Sequence, residues 1–571
     1  MEKHLMTLSR RIIVFPLSLA FLPAIFVLAG PSYAALADTV GDHQIFFVNP
    51  SFDGSDRSSV TATLEVTGTH AYYYIDDAYL LSLGLAGRQQ IDQLIAGLSN
   101  EFDTVIYPRD TAFWGSEPNP GIDGDPRITV LFEQLKGGTG GYFDNANGYL
   151  RLEAPHSNQR EMLFLNANVL GQGRMKIFLA HEMQHLISFN QKELIQHVVE
   201  DTWLNELRSQ YAITVVGYNN DFQNSDLQER TQAFVTNSAD SLTEWPNTLA
   251  DYATVTMFGE YLVEQYGPGI IQDAIMSRFI GIDSINEWLD QHHYTERFID
   301  VFAHWQLANF INDTVSDVRN GYLNPNLVRI RVPVSDLQQL SYPATSSFHY
   351  PLKSWQPSWY QYRMDAAAPA GKTLTINWDD SGFSMQYVDN RGTVQMLANP
   401  TVVNNPGSIA WFMLMPINHI QTNNFGPSDP ISVLPFTFTF GDQIEPTVAV
   451  GPMASPTVHD GSLIKVRGSS DIYVISGSYK RYLNPAILKL YGLNVRDAIT
   501  VSDRVFWQYV ASNYIRASND KRVYTVWPDG TKHWLNIPAS RFTASGRDWN
   551  SIFIVDPAEA NFYRPGSQIT R

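Results

Sequence analysis

The stretch FLAHEMQHLISFN, residues 178–190, sets His181 and His185 four positions apart, with Glu182 directly after the first histidine. A helix turns every 3.6 residues, so positions i and i+4 leave from one face. Two imidazole nitrogens on that face can reach a single ion. Glu182, one residue round, is angled away from ligation but lies close to a water held by the metal. This is the H-E-x-x-H pattern that binds zinc. The competing reading is a buried helix whose two histidines are simply hydrogen-bonded. A catalytic zinc keeps three protein ligands and leaves the fourth position for water, so a third donor decides the matter. TWLNELRSQYA, residues 202–212, offers Glu206, twenty-one positions past His185, on a second predicted helix at 202–215. Packed against the first helix at 174–191, it completes a His₂Glu set. Zinc there lowers the pKa of water from about 16 towards about 7. Glu182 then serves as general base and afterwards as general acid.

Upstream, FFVNP, VTATLEV and AYYYIDDAY alternate like strands between Gly and Asp turns, giving a β segment at 38–80. Ile91, Leu94, Ile95, Leu98 and Phe102 form one apolar stripe and predict a helix. PNPGIDGDPRITVLF is a turn leading into a buried strand at 128–132. Asp123 and Asp125 in that turn suit a calcium ion on composition alone, but a pre-strand turn accounts for them without one. Downstream, DYATVTMFGEYLVEQYG predicts a third helix stopped by Gly267, and helical pattern continues through INEWLDQ and FIDVFAHWQLANFI.

HEMQH followed by Asn205-Glu206 resembles the gluzincin clan of zinc peptidases. FLAHEMQHLISFNQK with TWLNELRSQYA is more specifically similar to the secreted neutral metallopeptidases of the hyicolysin type. FDTVIYPRDTAFWGSEPNPGIDGDPRITVLF and SNQREMLFLN also look like upstream segments of that family, so the resemblance covers about residues 44–312. It implies zinc on His181, His185 and Glu206, a catalytic Glu182, and Asn205 and Gln210 in support of the ligands. Two positions depart from the family pattern. Leu207 stands where a glycine is common, and Gln210 where an acidic residue is common. The amide oxygen of Gln210 can still accept a hydrogen bond from a histidine ligand, though it does not raise ligand basicity as a carboxylate does. The resemblance also implies a Tyr or His that stabilises the oxyanion. Tyr252 is the best candidate, with Tyr211 and the pair His292–His293 as rivals that spacing does not separate.

The chain of 571 residues is too long for one core, and its formal charge of −18 disfavours nucleic acid as a partner. Arg10 and Arg11 precede an apolar run at 12–30 and small residues at 32–37, which predicts a cleaved signal peptide at 1–34 and export. Cleavage removes Lys3, Arg10 and Arg11 against Glu2, leaving −20. No later segment is apolar for long enough to span a bilayer. The chain has no cysteine, which excludes disulfides, thiolate ligands and a cysteine nucleophile. It also has no G-x-S-x-G elbow. APAGKT lacks the first glycine of a phosphate loop and leads into a strand. His197, His304 and His349 have no partner at ligand spacing.

After about residue 332 the texture changes to short alternating strands: SWYQYRM, TLTINW, SMQYVD, IAWFMLM and FTFTF. That predicts an all-β sandwich at 331–440, followed by a linker at 441–456. Beyond it DIYVISGSYKRYLNPAI, residues 471–487, matches RVYTVWPDGTKHWLNIPAS, residues 522–540, an internal repeat that fills 457–571. Its cations Lys480, Arg481, Lys532 and His533 lie beside Tyr473, Tyr482, Tyr524 and Trp534, and we read them as small-domain core with solvated charge. The repeats resemble those at the ends of secreted bacterial surface proteins, which implies attachment to an envelope or polysaccharide. The expected whole is a multidomain chain: an α+β gluzincin-like zinc peptidase domain at 81–330, the sandwich, and two small repeats. It would hydrolyse protein or peptide outside the cell or at its surface. The alternative is an envelope-binding protein whose peptidase fold is weakly active or inactive.

Overall fold

The computed structural model describes residues 37–570 apart from 381, 421–430, 443–457, 467–470, 495, 497, 502, 507–508, 528–529 and 545–546. The predicted signal peptide, and all but the first two residues of the predicted linker, lie outside the described residues. Among those described, no helix is long and apolar enough to cross a membrane. The chain forms two compact units. The first runs to Phe234 and adds Asn247–Phe298 and Tyr322–Val328; the second takes Val235–Pro246, Ile299–Gly321 and everything from Arg329.

The first unit is built on six strands: β1 (His43–Phe47), β2 (Ser59–Thr67), β3 (Ala71–Asp76), β4 (Ile128–Glu133), β5 (Gly141–Phe143) and β6 (Met162–Asn166). Their order is β1-β2-β3-β4-β6-β5, with β3, β4 and β6 parallel and β5 an antiparallel edge. AYYYID, ITVLFE and MLFLN are buried at every position, as strands covered on both faces must be. The segment predicted at 38–80 is thus one flank of this sheet, and its last residues are helical. Helix α1 (Asp77–Glu101) starts where the Asp76 carboxylate accepts the Ala78 amide, and it breaks at Gly84, φ 67°. Ile91, Ile95 and Leu98 are buried along it, as is Phe102 just beyond its end.

Helix α2 (Tyr107–Trp114) and helix α3 (Met175–Ser188) follow, and α3 packs on β5 and β6. Helix α4 (Thr202–Val215) keeps its predicted bounds. After α5 (Asp226–Thr236) comes α6 (Leu249–Tyr266), which opens with a capping box of Thr248 and Asp251 and ends at Gly267, φ 82°. α4 lies between α3 and α6. A Cβ on Gly259 of α6 would stand 3.1 Å from Leu207. Bare backbone on α6 therefore makes room for Leu207. The further predicted helices are α7 (Gly281–Gln291) and α8 (Phe298–Phe310).

Most of α8 belongs to the second unit, while Tyr322–Val328 return to the first. Within the second unit Trp305 and Leu307 are fully buried, and the Trp359 indole donates to the Gln306 carbonyl at 3.0 Å. The described residues between 336 and 442 form a four-stranded and a five-stranded sheet around a core that includes Tyr362, Leu374, Ile376, Leu414, Phe436 and Phe438. Gly441 and Asp442 finish the last strand. Two five-stranded sheets follow. The first has the antiparallel strands Leu463–Val466, Ile472–Ser476 and Tyr479–Leu483, with Ile499–Val501 and Val510–Ala511 as parallel edges. The second repeats this order in Tyr514–Ala517, Tyr524–Val526 and Thr531–Trp534, edged by Phe553–Val555 and Arg564–Pro565. Ile472 and Ile487 from the first share one core with Ile515 and Phe553 from the second. Each sheet is too small to bury its own apolar face alone.

Candidate metal centre

Helix α3 is buried through every residue from Leu179 to Ser188. Leu179, Ala180, Met183 and Ile187 are fully buried and fix its apolar faces. The same helix therefore has to place Glu182, Gln184 and both histidines out of water. Such groups are tolerated only with partners, and those partners come from α4.

His181 Nε2 and His185 Nε2 stand 3.1 Å apart, and Glu206 Oε2 lies 3.3 Å from the first and 3.6 Å from the second. Among the described residues these form the one set of three His, Asp or Glu side chains whose donor atoms converge within 4.8 Å. Zinc–ligand bonds of about 2.0–2.2 Å place the corners of a tetrahedron about 3.3–3.6 Å apart; the two edges to Glu206 fall in that range and the edge between the histidines, 3.1 Å, is slightly shorter. Glu206 Oε2 is also buried without a hydrogen bond, a cost that a cation at this point removes. Both histidines are 9% exposed, which leaves a path from solvent.

The electrostatics follow from this crowding. Burial lowers the affinity of the His185 imidazole for a proton, but the Glu206 carboxylate outweighs it and raises the pKa to about 9. Burial pushes the Glu206 carboxyl up, and the two imidazoles more than reverse this, holding it well below the usual carboxylate range. Burial lifts the Glu182 carboxyl, with the histidines opposing and Glu206 adding to the rise. A strained proton count at one point is what a divalent cation resolves.

Two supports hang from the α4 face that carries Glu206. Ser209 Oγ donates to Gln184 Oε1 at 2.6 Å and lies 3.1 Å from His185 Nδ1, placed to accept the ring N–H. Sequence reasoning passed over Ser209, although it sits three residues past Glu206 on that face. Asn205 contributes its backbone carbonyl to Ser209 Oγ at 3.2 Å, and its side-chain oxygen is buried without a hydrogen bond. Gln210 reaches His181 Nδ1 at 3.3 Å with its amide nitrogen, not its oxygen. The oxygen is taken by Arg230 Nε at 3.2 Å and Thr256 Oγ1 at 3.3 Å. If His181 ligates through Nε2, its Nδ1 carries the hydrogen and meets an NH₂ group, so that contact holds the ring weakly.

Among the three rivals for the oxyanion, Tyr252 on α6 has its ring 6.2 Å from that of His181, under the Arg230 guanidinium. Its hydroxyl donates to Asn247 Oδ1 at 2.9 Å. Burial first, then the Glu206 and Glu182 charges, push its ionisation far up, so it stays a donor. Tyr211 instead packs by Phe113 and is perturbed by burial and by Glu260 and Glu264. His292 stacks on Trp288 and bonds the Trp288 carbonyl at 2.9 Å. In the Asp123–Asp125 turn, Asp123 accepts the Asp125 amide, and Asp125 accepts the Arg127 amide and the Tyr72 hydroxyl. Those oxygens serve the turn.

Two histidines and a carboxylate close on one point, with a second carboxylate alongside, a donor set that could hold a metal ion. The chain is similar to a neutral metalloprotease, ShpI of Staphylococcus hyicus, at 24% identity over 247 residues, covering 39% of this chain and 52% of that protein. It thus spans about half the length of that relative. No family model matches. Among solved structures, it shows a likeness to PliG, a periplasmic inhibitor of g-type lysozyme from Salmonella Typhimurium (TM-score 0.14, 8% identity, 19% of this chain and 99% of that one). A mutant of the Escherichia coli PliG gives a TM-score of 0.14 at 7% identity, covering 19% of this chain and 98% of that one. Scores so low carry no structural argument.

Proposed function

We propose that the chain is a secreted zinc endopeptidase of gluzincin type, resembling the hyicolysin family, with His181, His185 and Glu206 as ligands. The observation that carries this is the convergence of the three donor atoms within 3.6 Å around the unsatisfied Glu206 oxygen. Zinc supplies Lewis acidity there, polarising the scissile carbonyl and acidifying water. Glu182 holds and moves the proton: its buried carboxylate takes it from the attacking water and returns it to the leaving amide nitrogen. Tyr252 turns its hydroxyl from Asn247 to the developing oxyanion and stays protonated while doing so. Ser209 orients His185, while Gln210 meets His181 nitrogen-first and holds that ring only weakly.

Edge strand β5 presents the peptide. A Cβ on Gly141 would stand 3.1 Å from Glu182 Cγ and 2.8 Å from the Phe164 carbonyl. The free edge of β5 therefore runs beside the general base, where an extended substrate can add as a further strand. Leaving the C-terminal sheets out of catalysis, we read them as tandem modules that attach the enzyme to an envelope or polysaccharide. One observation favours the second reading, an attached protein with weak activity: the Gln210 amide turned nitrogen-first to His181. Glu182→Gln tests the choice. Casein hydrolysis should fall by about 10²–10⁴-fold while metal content is kept; activity equal to that of the unaltered chain would remove the enzyme reading.

A further inference from the structure

Charge is divided unevenly along this chain. Residues 458–571 hold 15 Lys and Arg against 9 Asp and Glu, a net of +6, whereas residues 1–457 hold 24 against 48, a net of −24. Several of the C-terminal cations are interior. Lys480 is 3% exposed and donates to the Phe506 and Tyr509 carbonyls, and Arg481 pairs with the fully buried Glu559. The cations that matter for a partner are others.

Strand Tyr514–Ala517 pairs in parallel with Phe553–Val555, matching Ile515 to Phe553, Arg516 to Ile554 and Ala517 to Val555. Side chains alternate across a strand. Ile515, Phe553, Ala517 and Val555 enter the core, so Arg516 and Ile554 share the opposite face, where Ile554 is 64% exposed. With Lys521, Val523, Trp549 and Ile552 they line an open depression of about 390 Å³. Trp549 leans on Phe542, ring centroids 4.3 Å apart, and is still 47% exposed. Arg516 donates to the Asp520 carbonyl, but among the described residues neither Arg516 nor Lys521 has a carboxylate within ion-pair distance. The Asp520 carboxylate pairs with Arg522. In the preceding sheet the matching pair is Lys465 opposite Thr500.

We propose that this depression binds an acidic polysaccharide: Arg516 and Lys521 take the carboxylate of a sugar acid, while Trp549 and Ile554 take the apolar face of its ring. An indole is apolar on its face and rigid, and suits a sugar ring stacked flat. A volume in the range of small-ligand sites accommodates a few rings of a polymer. A duplex nucleic acid would need a long run of phosphate contacts, which the two cations of this depression do not supply. The proposal rests on the attachment reading given above and names its ligand chemistry.

The test is binding of the full chain, without residues 1–34, to polygalacturonate, to neutral dextran and to a DNA duplex at low and high salt. Expected are preference for polygalacturonate over both others, weakening with salt, and at least about tenfold loss in Arg516→Gln/Lys521→Gln and separately in Trp549→Ala. Thermal unfolding of each variant identifies a misfolded one, and the other variant then decides. Dextran bound as well as polygalacturonate would overturn the acidic ligand and leave attachment standing. DNA bound as tightly would assign the depression to nucleic acid and overturn the proposal, as would variants with unchanged binding. Attachment itself fails separately, if deleting 458–571 leaves envelope binding unaltered.

Discussion

Glu206 and Glu559 are both carboxylates drawn out of water, one in each compact unit, and they differ in what is left over. Glu559 Oε1 accepts from Arg481 Nη1 at 2.6 Å and the Tyr563 hydroxyl at 3.1 Å. Its Oε2 accepts from Arg481 Nη2 at 3.2 Å and the Tyr491 hydroxyl at 2.6 Å. Every lone pair in reach is used, and the pair joins the two C-terminal sheets. Glu206 Oε2, by contrast, has no hydrogen bond and faces two imidazole nitrogens. A buried charge that is fully met is a structural tie; one left unmet beside two more donors is a place for a cation.

Removing the partner should break the comparison most sharply at Glu559. Glu559→Ala strands the Arg481 guanidinium, which is 6% exposed, and should cost about 3–5 kcal/mol in denaturant unfolding of the C-terminal sheets while metal content holds. A loss below about 1 kcal/mol would mean that the pair is not the tie described.

Next in size is pH. In the ion-free site the folded pKa of His185 is about 9 against an ordinary 6.5. Its proton therefore stabilises the ion-free fold fully below about 6.5, and that contribution is lost as pH climbs through about 9. A metal needs the neutral ring, so zinc affinity runs the other way. It should fall by up to about tenfold per unit as pH drops below about 9, read by competition with a chelating dye. Affinity independent of pH would contradict the coupling of His185 to Glu206. The smallest effect sharpens the role of Gln210. Gln210→Glu lets Arg230 and the His181 N–H share an acceptor and should tighten zinc by about tenfold in the same titration. Weaker binding would show that the amide is already the better partner.

The i, i+4 spacing of His181 and His185, and Glu206 at a fixed place on a second amphipathic helix, were legible because helix geometry alone sets which side chains share a face. The strands at 43–76 and 128–133 were legible from their apolar patterns, those at 141–143 and 162–166 were not, and neither was their joining into one sheet, since register between distant strands leaves no local mark. Tyr252 is the preferred candidate over Tyr211 and the pair His292–His293 without a spacing argument, and the nearness of its ring to that of His181, 6.2 Å, leaves no mark in the sequence. The orientation of the Gln210 amide depends on Arg230 and Thr256, twenty and forty-six residues away, and no local pattern announces it. The paired cations Lys480 and Arg481 drew the eye because they repeat, yet repetition marked a shared interior. The open cations, Arg516 and Lys521, lie outside the repeated motif.

The central claim is that three side chains hold one ion, and zinc titration of the purified chain beside Glu206→Ala tests it most directly. One zinc per chain, with affinity reduced at least about a hundredfold in the variant, is the expected result. Equal affinity in both, or no zinc bound by the unaltered chain, would contradict it.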